Sequence, residues 1–93
     1  MRVRSTTDVT GLAAAIDREL SHADHAELVC IGAGAVHQAA KALASVSKIG
    51  AQRAVWTAVL WDTVDVDGTD RTGLMFVVVP APTAARDVFG PVV

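Results

Sequence analysis

A glycine turn is the first feature of this sequence that could perform chemistry. Gly32-Ala33-Gly34 lies between an apolar segment and a helical pattern. Glycines at such a turn let the backbone approach a phosphate, and the following helix N-terminus adds free N–H groups and a positive dipole. An anion site and a plain strand-to-helix connection both explain the turn. His37 stands where a dinucleotide fingerprint needs its third glycine, so we expect no nucleotide cofactor.

The helix after this turn carries a basic and hydrogen-bonding stripe. Its members recur at spacings of four, four and three residues: His37, Lys41, Ser45 and Lys48. Gln38 lies beside the first of them. Lysines, amides and helix N-termini contact a nucleic-acid backbone without reading bases, although an ordinary solvated face explains the stripe equally well. Arginines elsewhere could extend it: Arg2, Arg4, Arg53 and Arg71.

Other titratable residues give weaker signals. Four possible metal ligands lie in a loop without regular spacing, which favours a solvated loop over a metal site: His22, Asp24, His25 and Glu27. The aspartates around Gly68 lack the spacing and closing glutamate of a calcium loop, so a hairpin turn explains them better. Cys30, the single cysteine, is expected to be a core residue. No serine lies in a nucleophile motif, and we expect no enzyme.

The elements that position these residues follow a β-α-β-α-β-β order. Strands are expected over 2–5, 26–31, 55–66 and 72–79. One helix is expected from the apolar stripe between Val9 and Leu20, and a second follows the glycine turn and is closed by the segment 49–53. Thr7 and Asp8 are N-cap candidates for the first helix. Asp67-Gly68 predicts a tight hairpin between the last two strands. Both helices are expected on one side of a small mixed sheet, which makes an α/β two-layer sandwich.

The periodicity of each helix predicts its buried face. The first helix has one apolar stripe: Val9, Leu12, Ala13, Ile16 and Leu20. The second is expected to bury the following residues: Val36, Ala39, Ala40, Leu43 and Ala44.

Length, charge and hydrophobicity limit the protein class. With 93 residues, 52% of them hydrophobic, the chain is expected to form one small domain over 1–80, with 81–93 as an extension. The net charge of −2 excludes a globally basic nucleic-acid packager but allows a local basic face. We find no signal-peptide core and no apolar run near the ~20 residues of a membrane span, so a cytoplasmic location is expected.

The segment Val55–Trp61 is apolar on both faces. One face of a strand in a two-layer domain should be wet, so we expect a second subunit to cover it. The expected dimer contacts are Val55, Trp56, Val59 and Trp61. The C-terminal extension is the alternative cover.

Two segments resemble the stage V sporulation protein S family. One runs from Ala26 to Ala42 and contains the string Ile-Gly-Ala-Gly-Ala followed by Gln-Ala and Lys-Ala; the other, 64–72, is an Asp-Gly hairpin followed by Arg-Thr. The similarity extends from about Val3 to Pro80. It implies an Alba-like fold that is usually dimeric, a role in sporulation or development, and, by analogy with Alba-like proteins, nucleic-acid binding.

The sequence therefore predicts a non-enzymatic, dimeric regulator that binds DNA or RNA weakly and with strong salt dependence. The expected nucleic-acid contacts are Arg2, Arg4, Gly32, Gly34, His37, Gln38, Lys41, Lys48, Arg53 and Arg71. The alternative is a protein-interaction module without direct nucleic-acid binding, in which the apolar strand, the tryptophans and the extension bind a partner.

Overall fold

The computed structural model describes residues 1–82 and has the predicted β-α-β-α-β-β order. The strands are β1 (Arg2–Val3), β2 (Ala26–Cys30), β3 (Val55–Val66) and β4 (Thr69–Pro80). The helices are α1 (Val9–His22) and α2 (Ala33–Ser45), the latter continued by a short 3-10 turn, Val46–Lys48. The sheet order is β1-β2-β4-β3, with β1 parallel to β2 and the other neighbours antiparallel. The α/β two-layer sandwich is confirmed; most of the predicted extension, 83–93, lies outside the described residues.

Of the two N-cap candidates for helix α1, Thr7 and Asp8, the structure uses Asp8. Asp8 has extended backbone angles, and its carboxylate accepts a hydrogen bond from the Gly11 N–H at 2.8 Å. This bond satisfies one of the N–H groups that the first turn of a helix leaves free. Four of the five residues of the predicted apolar stripe are buried, and Val9 is partly buried against them: Leu12, Ala13, Ile16 and Leu20. The period of the hydrophobic pattern therefore fixes the orientation of α1.

Helix α2 presents a different face to the core from the one that the sequence predicts. Ala35, Ala39 and Ala42 are buried, whereas Ala40 and Ala44 are exposed. The prediction that Ala40 and Ala44 are buried is therefore wrong. Alanine occurs on every side of this helix, so hydrophobicity marks no single face. Packing against α1, β1 and β2 decides the orientation instead.

The β3–β4 hairpin is longer than predicted. Asp67 and Gly68 form its two-residue turn with φ of 52° and 78°, the positive angles that such hairpin turns need. The pairing of β3 with β4 continues to Val66 and Thr69. β4 therefore begins at Thr69, whereas the sequence predicts a start at Thr72. Only the stretch of β4 from Leu74 to Val78 pairs with β2. The remainder of the hairpin forms a two-stranded arm beyond the sheet.

The core lies between the two helices and one face of the sheet. Leu28 and Cys30 of β2 and Phe76 and Val78 of β4 are buried there, with the inward residues of α1 and α2. Cys30 is a core residue as predicted, and burial raises the pKa of its thiol. A buried thiol with a raised pKa is a poor nucleophile, so this cysteine stabilises the fold rather than carrying chemistry.

Gly73 allows the hairpin to leave the sheet next to β2. A Cβ at this position would lie 2.5 Å from the Cys30 carbonyl oxygen and 3.1 Å from Cγ1 of Ile31. We predict that Gly73→Ala forces β2 and β4 apart and lowers the free energy of unfolding by about 1–3 kcal/mol, the usual cost of overpacking. Chemical denaturation measures the loss. The matched control is Thr72→Ala, since Thr72 is exposed. Equal stability of the two variants would contradict the prediction.

Candidate functional site: an arginine-lined depression at the start of helix α2

A depression of about 420 Å³ lies where β1, β2, α2 and the hairpin arm meet. Half of the predicted nucleic-acid contacts line it: Arg2, Arg4, Gly32, Gly34 and Arg71. Val3, Ser5, Ile31 and Ala35 complete the lining. The structure thus brings the N-terminal arginines, the glycine turn and the arginine of the arm to one place, which we call the arginine depression.

Strand pairing brings these residues together. Val3 pairs with Cys30 in the parallel β1–β2 ladder, so the residues that follow each strand lie side by side at the same edge. Leu74 of β4 pairs with the same Cys30 from the antiparallel side. Arg71 therefore lies just beyond that edge, at the base of the arm. Residues far apart in the sequence converge there because β2 is the neighbour of both β1 and β4.

The glycine turn leaves the start of α2 open. Gly32 is its N-cap with φ of 91°, a conformation that favours glycine, and no side chain caps the helix. The first-turn N–H groups therefore lack the side-chain acceptor that Asp8 provides for α1. A Cβ at Gly34 would lie 2.7 Å from Cβ of Ser5, so this glycine lets the loop after β1 approach the helix.

The charges around the arginine depression favour an anion. Three arginines line it and no carboxylate does. Within residues 1–82, the ion pairs of the fold involve none of these three arginines. A second depression, of about 290 Å³, is mixed in charge, because Glu19 and Glu27 line it together with His25 and Met1. Negative charge also extends along the arm: Asp62, Asp65, Asp67 and Asp70. The positive surface is therefore local, in a chain of net charge −2.

Gln38 has a structural partner. Its side-chain amide donates a 2.8 Å hydrogen bond to the Thr7 carbonyl oxygen and is partly buried. The bond ties α2 to the loop between β1 and α1, and so to the segment that carries Arg4. Gln38 therefore helps to position the arginine depression, while His37 beside it is exposed.

The remaining predicted contacts lie away from the arginine depression. Lys41 and Lys48 are exposed further along α2 and its 3-10 extension; at about 1.5 Å per residue they lie roughly 10 Å and 20 Å from Gly34. Arg53 precedes β3 and packs on the C-terminal half of α1. Its Nε lies 3.4 Å from Oδ1 of Asp17, and its Nη2 donates a 3.0 Å bond to the Ser21 hydroxyl.

Ser5 is a residue of the arginine depression that the sequence did not single out. It lines the depression, and its Cβ lies 2.7 Å from the point where a Cβ on Gly34 would be. The available signal was weak, because a serine directly after alternating arginines is ordinary for the end of a strand. Its place beside the helix start depends on the approach of two loops that are distant in the sequence.

The four predicted dimer contacts differ in how far their side chains are buried. Val55 packs against the core, whereas Trp56, Val59 and Trp61 are exposed. Leu60 and Val79 are exposed apolar residues as well. Among the described residues 1–82, no segment covers this apolar surface of β3.

The loop between α1 and β2 holds a histidine between two carboxylates. Nδ1 of His25 lies 2.7 Å from Oδ1 of Asp24, and Nε2 lies 3.1 Å from Oε2 of Glu27. Both ring nitrogens can donate only in the protonated imidazole, so hydrogen bonds to Asp24 and then to Glu27 raise the pKa of His25. The same contact lowers the pKa of Asp24. Within residues 1–82, no group of three His, Cys, Asp or Glu side chains could hold a metal ion.

The fold and the site together define a small α/β protein with an arginine-lined depression at the uncapped end of a helix. The family model for stage V sporulation protein S matches residues 1–81. The chain belongs to that family, as the glycine turn and the Asp-Gly hairpin indicated, and membership implies a sporulation-related role. No curated protein matches the chain.

None of the helices in the part of the chain that the structure describes is long and apolar enough to cross a membrane.

The carboxylates around His25 predict a pH dependence. The raised pKa means that the histidine contributes stability below its ordinary value of 6.5 and that this contribution is lost as the pH rises through the higher folded value. An NMR titration of the His25 ring should give a pKa above 6.5 in the wild type and a lower one in Asp24→Asn combined with Glu27→Gln. A wild-type value at or below 6.5 would be inconsistent with the contact.

Proposed function

We propose that this protein is a non-catalytic regulator of sporulation or development that binds nucleic acid as a dimer. Arg2, Arg4 and Arg71 contact backbone phosphates, and the open start of α2 between Gly32 and Gly34 accepts one phosphate directly. The exposed stripe along α2 extends the contact: His37, Lys41 and Lys48. Arg53 has the least prominent part, because Asp17 already offsets its charge.

The observation that carries this proposal is the convergence of three arginines on an uncapped helix N-terminus. Guanidinium groups bind phosphate oxygens in a bidentate manner, and backbone N–H groups at a helix start bind them without any reference to base identity. Such contacts fix the position of a nucleic acid but carry no sequence information. The proposal is therefore for binding of low sequence specificity.

The acidic arm limits how the nucleic acid is bound. Its aspartates repel phosphates, so the arm cannot lie along a backbone or enter a groove as a basic hairpin would. The bound backbone instead runs from the arginine depression along α2, away from the hairpin tip. A two-fold dimer doubles this limited surface, which compensates for the small number of cations on one chain.

Salt dependence tests the proposal directly. For duplex DNA, the logarithm of the binding constant falls with the logarithm of salt by about 0.9 per neutralised phosphate. The three arginines alone therefore predict a slope of about −3 per chain, and phosphate contacts by Lys41 and Lys48 make it steeper. We expect fluorescence anisotropy with labelled DNA and RNA to show binding at low salt that weakens with this slope. No binding at low salt, or affinity that does not change with salt, would contradict the proposal.

Single substitutions locate the contact. Arg71→Gln should weaken binding and reduce the salt slope by about 1, because one phosphate contact is lost. Arg18→Gln is the matched control, since Arg18 is an exposed arginine of α1 outside the arginine depression. Lys48→Gln tests whether the contact extends along α2. Equal affinities of Arg71→Gln and Arg18→Gln would place the nucleic acid elsewhere.

A second function, the protein-interaction module, is favoured by one observation. Trp61 is 81% exposed, and a large exposed aromatic residue is typical of a docking surface. In that function the apolar strand β3 binds a protein partner and the arginine depression plays no part. A purified dimer that has no affinity for DNA or RNA at low salt and retains solvent-exposed tryptophan emission would favour it.

A further inference from the structure

Within residues 1–82, no segment pairs with the outer edge of β3. β3 pairs with β4 on one side over all twelve residues, without a bulge, and is the terminal strand of the sheet. Proteins usually blunt such an edge with lysine, proline, a bulge or a covering segment. Between Val55 and Trp61 the strand has no charged residue and no proline. Asp62 is the first charged residue after this segment.

The register shows which backbone groups are free. Ala54 accepts a hydrogen bond from the Ala81 N–H at 3.0 Å, so it faces β4. Backbone groups of a strand alternate between its two edges. The N–H and C=O groups of every second residue from there therefore face away from the sheet: Val55, Thr57, Val59 and Trp61. Pro80 opposite Val55 agrees with this alternation, because that pair exchanges no hydrogen bond across the ladder.

We infer that a second copy of this chain pairs with this edge, β3 against β3 in antiparallel orientation, with the two-fold axis at Ala58. Ala58 is the central residue of the segment Val55–Trp61, so a two-fold axis there pairs the whole segment with its copy. In this register Val55 faces Trp61, Thr57 faces Val59, and Trp56 faces Leu60. Every apolar side chain of the segment meets a neutral one, and both copies of Asp62 lie outside the paired segment. The two four-stranded sheets become one continuous sheet with all helices on the same side.

Other registers match less well. An axis at Val59 would set Trp56 opposite Asp62, which buries a carboxylate against an indole. An axis at Thr57 would set Trp61 opposite Arg53, whose guanidinium is already engaged by Asp17. Of these three registers, the axis at Ala58 is the one that pairs all of Val55–Trp61 with no charged residue opposite it.

The exposed apolar area reaches the lower limit for a dimer interface when all of it is buried. Trp61 is 81%, Val59 57%, Leu60 51% and Trp56 41% exposed. At about 150–250 Å² for a buried aromatic side chain, the two tryptophans expose roughly 200–300 Å² per chain. The other two side chains and the strand edge raise this to about 500 Å², or about 1,000 Å² for the pair, the lower limit for a specific interface. New main-chain hydrogen bonds add to this apolar contact.

This inference concerns the dimer of the proposed function and does not depend on nucleic-acid binding. A dimer that binds neither DNA nor RNA would support the edge pairing and contradict the proposed function. A monomer that binds nucleic acid with the expected salt slope would do the reverse.

Proline substitution tests the edge. Thr57→Pro removes an outward N–H but no hydrogen bond to β4, so the fold should remain and sedimentation equilibrium should change from dimer to monomer. Thr63→Pro is the matched control: its N–H also faces outward, but it lies outside the paired segment and the dimer should remain. If Thr57→Pro does not fold, Val59→Lys with Thr63→Lys as control gives the same comparison. A monomeric wild type, or a dimer that survives the substitution at the edge, would overturn the inference.

Cross-linking tests the register. Ala58 faces itself in a pair without hydrogen bonds, where Cα atoms are about 4.5 Å apart, within disulfide range. Oxidation of Ala58→Cys should therefore give a covalent dimer. Leu60→Cys should not, because its copies are offset by four residues, or about 13 Å along the strands. The native Cys30 is buried and should not interfere. Cross-linking of Leu60→Cys as readily as Ala58→Cys would exclude this register.

Discussion

The insertion of β4 between β2 and β3 is the constraint on which the rest of this structure depends. One register, with Cys30 opposite Leu74, carries the hairpin past the end of β2 and sets Arg71 beside the ends of β1 and β2. The same insertion moves β3 to the outside of the sheet. The arginine depression and the free apolar edge are thus two consequences of a single antiparallel pairing. Gly73 permits this pairing, since a side chain there would meet the backbone of β2.

The placement of charged residues on the surface, rather than the net charge of the chain, produces the positive region of this fold. The chain is slightly acidic, yet the three arginines of the depression have no carboxylate in its lining. Acidic residues are placed along the arm, away from the arginine depression: Asp62, Asp65, Asp67 and Asp70. A nucleic acid would therefore be oriented by repulsion from one region as well as by attraction to another. The ion pair between Arg53 and Asp17 has a structural role, because it holds the segment before β3 against α1.

The limits of sequence reasoning are clearest in the two helices. The pattern of α1 combines large apolar residues on one side with polar residues on the other, so its buried face was predicted correctly. Helix α2 consists largely of alanine, and its predicted face was partly wrong because alanine is compatible with both core and surface. Gln38 illustrates the same limit: an amide beside a basic stripe predicts a ligand contact, whereas the structure gives it a partner in Thr7.

The sequence by itself determined the order of elements, the two adjacent candidate caps of α1, the hairpin turn, the core position of Cys30 and the family. Each of these depends on local backbone preferences, on the period of hydrophobic residues or on a contiguous motif, which one chain segment contains in full. Only the tertiary structure decided which arginines converge, that Lys48 and Arg53 lie apart from them, and that β3 is the edge strand of the sheet formed by residues 1–82. These are distances between segments separated by dozens of residues, and strand pairing, rather than any local pattern, fixes them.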